Sequence, residues 1–511
     1  MRDAPATPSF TIAAGDPGRP VARHWEVAVG CGDAWSLLRA DLQEQLRRAA
    51  RECGFRYLRC HGVLCDQLQV IRRDRAGALV YNWQLVDAAY DALLTAGLRP
   101  FVELGFMPAA LASGDRTIFH YRANVTPPAD DDAWAALVGA LAAHWRERYG
   151  AAEVRRWYFE VWNEPNLTGQ FWTGTAEDYY RLYAATARAL KAVDPALRVG
   201  GPATTRGEWL PEFLAWCRAH DAPVDFVSTH VYPDDDDFAK TDPGYPALFA
   251  RGDYLDTLVA RVHAAMAGER PVGPGAGERR LEIHWTEWNI SWRWGRPVHD
   301  ESNAAAFICQ VAAATDPLVD SFAFWTVSDI FNEFPYPRAA LVGGFGLLNV
   351  AGLPKPAYHA YRLLHRLGDR AMPVAASGAG LSERQGRLGC LATRDADGAY
   401  RLLLSHYVPP ALADAPPPPA TVALRLRGLA PGSRWRLTAE RVDADHADLL
   451  GAWRALGSPE TPTPAQLARL RDASALRPEP ERDLTADAAG DLDLPATLPA
   501  AGVLYHELRP R

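Results

Sequence analysis

Two glutamates stand out by where they fall. Glu164 lies in Phe-Glu-Val-Trp-Asn-Glu-Pro-Asn, residues 159–166, and Glu287 in His-Trp-Thr-Glu-Trp-Asn, residues 284–289. Each closes an apolar, aromatic-rich run that reads as a strand, and each sits beside Trp and Asn. Two carboxylates brought to one point have the parts for glycosidic cleavage: one protonates the leaving oxygen, and the other attacks the anomeric carbon or activates water. A separation of about 5–5.5 Å means a covalent intermediate and retention, and about 6.5–9.5 Å leaves room for water and inversion. A lone Glu is most often a salt-bridge partner or a strand cap, but that explanation fits two acids in matching contexts poorly. Asn163 offers an amide donor for a sugar hydroxyl, and Pro165 turns the chain out of the strand just past the acid.

The neighbourhood supports sugar recognition. Trp162, Phe171, Trp172, Trp285, Trp288, Trp292, Trp294 and Trp325 gather near the same strand ends. Aromatic faces stack on pyranose rings; two or three of these eight are expected to touch substrate and the rest to pack. His61, His230 and His284 also fall in or at the ends of strand-like runs, where a zinc hydrolase would collect ligands. No His-x-His pair follows the first run, however, and His284 is out of phase with Glu287. Neither metal nor cofactor is expected, and His61 and His230 read as sugar contacts or as groups that tune the acids, against the alternative of buried structural histidines. The acidic run Asp234–Asp237 lacks the alternating ligands and the glycine of a calcium loop. No Gly-x-Ser-x-Gly elbow occurs.

The elements that would hold these residues alternate strictly. Strand candidates are His24–Cys31, Phe55–His61, Arg99–Phe106, Arg156–Trp162, Arg198–Pro202, Val224–Tyr232, Leu281–Trp288 and Ser321–Ser328, apolar on consecutive residues as in strands buried on both faces. Between them fall helical patterns: Ala34–Arg51, Val86–Ala96, Ala133–Tyr149, Ala176–Val193, Glu208–Ala219, Tyr254–Met266, Ala304–Ala314 and Ala357–Leu367. Eight of each predict a (β/α)8 TIM barrel over residues 14–366, with catalytic side chains at the C-terminal ends of its strands. Strands four and seven are expected to face each other across the axis. Gly30-Cys31-Gly32 does not extend into the phosphate turn of an open doubly wound sheet. After residue 367 the runs shorten and alternate, predicting an antiparallel β-sandwich from residues 1–13 plus 367–511, with a helical insert near Pro464–Ala475.

Composition narrows the partners. The chain has 511 residues, 54 Lys plus Arg against 62 Asp plus Glu, and a formal charge of -8. That balance offers no basic footprint for nucleic acid, and no apolar run is long enough for a membrane span. The first 23 residues lack the apolar core of a signal peptide. Seven scattered cysteines suggest neither a disulfide framework nor paired zinc spacing, so the expectation is a cytoplasmic protein.

Beyond chemistry and pattern, the motifs resemble a known family. Trp162-Asn163-Glu164-Pro165-Asn166 and Thr286-Glu287-Trp288-Asn289 resemble the two carboxylate signatures of retaining glycosidases. Cys60-His61-Gly62-Val63-Leu64-Cys65-Asp66, Asn124-Val125-Thr126-Pro127-Pro128, Gly343-Gly344-Phe345-Gly346-Leu347 and Lys355-Pro356-Ala357 narrow the match to glycoside hydrolase family 39, its bacterial β-xylosidases in particular. The resemblance implies an exo-acting enzyme that releases xylose from short xylosides through a covalent glycosyl-enzyme. Glu164 is then the acid/base and Glu287 the nucleophile. Asn163 contacts the 2-hydroxyl, and His61, Phe119, His230, Tyr232, Trp325 and Glu333 line the sugar subsite. It also implies a homo-oligomer, a tetramer. Two positions depart from the xylosidases: Thr229 stands where they carry Arg, and Asn332-Glu333 where they carry two acids. Other sugars accepted within the family, namely arabinopyranosides, galactosides, glucosides and uronic acids, are therefore alternatives, with a metal-dependent hydrolase and a non-catalytic sugar-binding barrel behind them.

Overall fold

The computed structural model describes residues 7–235, 238–273, 279–378 and 386–511. Among them, eight parallel strands close into a barrel: β1 (Ala28–Asp33), β2 (Tyr57–His61), β3 (Arg99–Leu104), β4 (Tyr158–Val161), β5 (Arg198–Thr205), β6 (Phe226–Val231), β7 (Glu282–Trp288) and β8 (Ser321–Phe324). The predicted barrel is therefore present, strand for strand. Most ends shift by one to four residues, as where β8 stops at Phe324 and β5 runs on to Thr205, and the first βα unit changes most. His24–Glu26 forms a 3-10 turn, so β1 starts at Ala28. The first helical pattern splits into a 3-10 turn, Ala34–Leu38, and a helix, Ala40–Cys53, because extended Arg39 interrupts it and the Asp33 carboxylate caps the turn at Ser36. β4 and β7 are not opposite: β5 and β6 lie between them on one side.

Every second residue of a barrel strand points inward, and this period layers the interior. Tyr57, Phe101, Tyr158, Phe226 and His284 make an aromatic floor; Phe101 and Tyr158 stack at 4.8 Å and the His284 ring sits 4.7 Å from Tyr158. Two residues further along their strands, Arg59, Glu103, Glu160 and Thr286 make a polar layer, all at most 1 % exposed. The strand tips above it carry the functional candidates.

Apart from two short hairpins, Ile71–Arg73 with Leu79–Tyr81 and Thr117–Ile118 with Ala123–Asn124, the remaining strands form two packed sheets. The smaller orders Val374–Ser377, Ser9–Ala13, Ala420–Arg427 and Leu492–Leu498; the larger orders Arg19–Pro20, Arg370–Met372, Arg387–Arg394, Tyr400–Tyr407, Gly502–Pro510, Arg434–Val442 and Arg482–Thr485. Phe10, Ile12, Leu424 and Leu494 meet Leu402, Leu404 and Leu504 between them. One pairing departs from the antiparallel expectation: Ser9–Ala13 runs parallel to Ala420–Arg427. The N-terminal share of these sheets reaches Pro20, past the expected residue 13. The outer face of the larger sheet docks on the barrel, with Tyr407 5.2 Å from Phe307 in the helix Ser302–Thr315. The insert comprises two helices, Leu449–Ala455 and Pro464–Ala473. No helix among the described residues is long and apolar enough to cross a membrane.

The long connection after β8 carries Glu333 and needs an anchor. Lys355, fully buried, places Nζ 2.7 Å from both Asp300 Oδ1 and Asp329 Oδ2 and donates to the Gly344 carbonyl at 2.8 Å. The glycines nearby are steric: a Cβ on Gly344 would come within 2.3 Å of Asp329 Oδ1. Leu341 and Leu353 of the same segment pack on Leu449, Leu450 and Leu470 of the insert. Removing one partner of a buried ion cluster leaves uncompensated charge. Lys355→Met is accordingly expected to cost about 3–5 kcal/mol, seen as an earlier urea midpoint; an unchanged midpoint would refute this anchoring role.

Candidate active site

Local backbone conformation aims both acids. Past β4 the chain turns sharply: Trp162 and Glu164 adopt left-handed φ values of 69° and 45°, and the Glu164 amide bonds the Ala203 carbonyl at 2.9 Å. Such conformations in non-glycine residues are costly and cluster at functional sites. In β7 the pairing with β6 skips a residue, from Thr229↔Trp285 to His230↔Glu287. The extra residue is Thr286. A bulge of this kind re-aims side chains, and it lets Thr286 and Glu287, consecutive in sequence, both reach polar partners inside the barrel.

The acids converge. One oxygen of Glu164, one oxygen of Glu287 and a ring nitrogen of His230 all lie within 4.8 Å of one another. Glu164 and Glu287 are 6 % and 5 % exposed, so each keeps a small opening to solvent. Glu287 accepts from Arg59 Nη1 at 2.7 Å on Oε1 and from the Tyr232 hydroxyl at 2.8 Å on Oε2. His230 bridges to Glu164 at 2.9 Å through Nδ1 and to Thr286 at 3.1 Å through Nε2. Three such donors could in principle bridge a cation, but Glu287 already carries the Arg59 guanidinium.

Arg59 organises the layer below. Its Nε meets Glu160 at 2.5 Å, and its Nη2 meets the Asn163 side-chain oxygen and Glu103 Oε2, each at 2.9 Å. Sequence reasoning missed Arg59, Glu103, Glu160 and the inward Thr286. A signal existed for the first three: each is a charge inside a run that otherwise reads as buried on both faces.

Burial sets the proton balance. Glu164 is pushed well above the usual carboxylate range by burial, then by the charges of Glu287 and Asp235, against the pull of Arg59 and Arg206. Burial also raises Glu287, but the Arg59 guanidinium and the Tyr232 hydrogen bond oppose it. Among the described residues Glu164 has His230 as its one side-chain hydrogen-bond partner, whereas Glu287 holds a bonded cation. The shared proton therefore belongs on Glu164. Burial lowers His61 to about 3 and raises Glu103, so their 2.5 Å contact joins neutral partners.

The expected subsite residues assemble around this pair. His61 Nε2 lies 3.6 Å from Glu287 and 3.4 Å from Glu333. The Trp325 ring is 4.6 Å from the His61 ring, and Phe119 stacks on His61 at 6.0 Å. Glu333 Oε1 is buried without a hydrogen-bond partner among the described residues. Most of the tryptophan cluster packs instead: Trp162, Trp172, Trp285 and Trp288 are buried core, and Trp292 is 46 % exposed. Asn332 donates to Asp33 and Ser36 at 2.8 Å each, and Thr229 ties β5 to β6 through the Thr204 carbonyl at 2.5 Å. Asp234 accepts from Ser291 at 2.6 Å and Asp235 pairs with Arg206 at 2.8 Å, so these two acids staple loops; Asp236 and Asp237 lie outside the described residues.

Known proteins resemble this chain in sequence and fold. A family model described as "Glycosyl hydrolases family 39" matches residues 9–493. A β-xylosidase of Caldicellulosiruptor saccharolyticus is 36% identical over 462 residues, covering 90% of each chain. The crystal structure of a monomeric β-xylosidase from Caulobacter crescentus CB15 superposes with a TM-score of 0.82 at 34% identity, over 98% of this chain and 99% of that one. Human α-L-iduronidase is more distant, 26% identical over 455 residues, 84% of this chain and 66% of that one. With the match spanning barrel and sandwich alike, the chain belongs to glycoside hydrolase family 39.

Proposed function

We propose that the protein is a retaining β-xylosidase in which Glu164 is the general acid/base and Glu287 the nucleophile. The observation that carries this reading is the spacing of the two carboxylates, with one oxygen of each within 4.8 Å of the other, which suits the about 5–5.5 Å of retention and falls short of the about 6.5–9.5 Å of inversion. Glu287 attacks the anomeric carbon as the glycosidic C–O bond breaks, and the Glu164 proton goes to the departing oxygen. The ester forms, negative charge leaves Glu287, and Glu164, now ionised, takes a proton from the incoming water. The water oxygen displaces Glu287 and restores both groups. Asn163, held by Arg59, is assigned to the 2-hydroxyl, and His61, Phe119, His230, Tyr232, Trp325 and Glu333 to the wall of the sugar subsite.

Charge favours a neutral sugar over a uronic acid. Arg59 is already shared among Glu103, Glu160 and Glu287, and Glu333 adds another carboxyl beside it, so a substrate carboxylate would meet acids. Asn332, turned toward Asp33, leaves Glu333 as the reader of hydroxyls on that side. Seven free thiols support a reducing compartment, the cytoplasm. The tetramer implied by the family resemblance has a counterexample in the monomeric Caulobacter relative; light scattering on the 56.0 kDa chain decides between them.

Glu164→Ala is expected to lose about 10²–10⁴-fold on substrates with poor leaving groups, far less on activated aryl xylosides, with partial rescue by azide. The alkaline limb of kcat/KM belongs to this carboxyl, whose raised pKa keeps activity until pH climbs through it, so the limb vanishes in the variant. Equal losses on both substrate types count against the role. Glu287→Ala should lower turnover by several orders of magnitude on every substrate; a tenth of activity remaining would exclude it as nucleophile. On a nitrophenyl panel the β-xyloside should exceed glucoside, galactoside and α-L-arabinopyranoside by about tenfold, with the iduronide at background. Preference for the iduronide reverses the sugar assignment.

A further inference from the structure

Thr286 reaches the barrel interior by strand alternation, two residues past His284, yet neither chemical step calls for a hydroxyl at that point. It donates to Glu160 Oε1 at 2.7 Å. Glu160 accepts from Arg59 on its other oxygen, so both oxygens of that carboxylate act as acceptors. A threonine hydroxyl has a single proton. With that proton directed at Glu160, the Thr286 oxygen can only accept from His230 Nε2, 3.1 Å away, and Nε2 must carry hydrogen. His230 is fully buried, and burial, with Arg59 and His61 nearby, holds its ring well below the ordinary imidazole range. A neutral ring protonated at Nε2 presents a bare lone pair at Nδ1, and Nδ1 faces Glu164 Oε1 at 2.9 Å.

We propose that Thr286 is a positioning residue that locks His230 in its Nε2–H tautomer and thereby keeps the proton on Glu164 between turnovers. The proposal rests on the acid/base reading of Glu164. In the resting state the Glu164 O–H donates to the Nδ1 lone pair. After the first step the ionised Glu164 oxygen meets that same lone pair, and capture of a proton from water removes the repulsion. The ring itself neither gains nor loses a proton in either step. Other groups face the same space: Glu287 and Asp235 favour the Glu164 proton, Arg59 and Arg206 oppose it, and Tyr232 and Glu333 border it. His61 lies near the ring, and Glu287 Oε2 comes within 3.7 Å of Nδ1. Among the described residues Nε2 has Thr286 as its one hydrogen-bond partner, so the tautomer is decided there.

The test is the alkaline limb of kcat/KM on an aryl xyloside. Thr286→Val is isosteric but cannot accept from Nε2, which frees the ring to turn its hydrogen to Nδ1 and donate to the Glu164 carboxylate. A hydrogen bond to the charged form lowers a pKa, so the limb should move about one unit or more toward acid, and Thr286→Ser should restore it. A limb unmoved or displaced upward in an active Thr286→Val overturns the proposal. Histidine-selective 15N NMR of the unaltered protein gives a second answer that requires no turnover. With His230→Gln used to assign the signals, Nε2 should appear protonated and Nδ1 bare from pH 5 to 8. A proton on Nδ1 in that range refutes the tautomer lock whether or not Glu164 proves to be the acid.

Discussion

One guanidinium holds the site together. Arg59 is the cation of a layer that otherwise consists of acids and neutral dipoles, and it bonds Glu287, Glu160, Glu103 and Asn163 at once. Desolvating a charge in a protein interior costs several kcal/mol per ion, recovered only where geometry and hydrogen bonding are nearly complete. Here the planar fork of Arg meets those demands in three directions, which a lysine ammonium could not do. The consequences run outward. Glu287 stays ionised against its own burial, and the Asn163 amide is fixed. Glu160 becomes an acceptor that orients Thr286, and Thr286 in turn orients His230. The two carboxyls thus differ because one touches the cation and the other is reached only through Glu160, Thr286 and His230.

The strand period explains how such a layer arises without a cavity. A parallel barrel fills its interior with side chains from alternate positions, so an aromatic floor and a polar ceiling can share the same strands two residues apart. Tyr57 leads to Arg59, Phe101 to Glu103, Tyr158 to Glu160 and His284 to Thr286. The aromatic floor excludes water from below, which lowers the effective dielectric and strengthens every charge contact above it.

Much of this was legible in the sequence. The eight strands appear as apolar runs because both faces are buried, and Glu164 and Glu287 are conspicuous because the runs stop at them. Arg59, Glu103 and Glu160 were equally visible as charges within those runs, but attention to strand ends passed over them. Thr286 was inconspicuous as a short neutral residue, although alternation from His284 aims it inward; the inward turn of Glu287 beside it follows from a skipped partner between β6 and β7, and register between strands leaves no mark on either strand alone. The tryptophans misled by their proximity. Trp162, Trp285 and Trp288 lie within two residues of the acids in sequence and Trp172 within eight, yet all four rings pack into the hydrophobic core. Asn332 shows the opposite case, a residue suspected of reading sugar that instead bonds Asp33 and Ser36 at the end of β1.

The parallel pairing of Ser9–Ala13 with Ala420–Arg427 bears on how the molecule is made. Phe10 sits across from Leu424, and a ribosome adding about 5–20 residues per second needs tens of seconds to travel between them. Over that interval the early segment waits at the tunnel exit without its neighbour while the barrel strands emerge and can assemble. Fastening of the first strand is therefore a late event in biosynthesis, carried out by residues translated after the catalytic half is already complete.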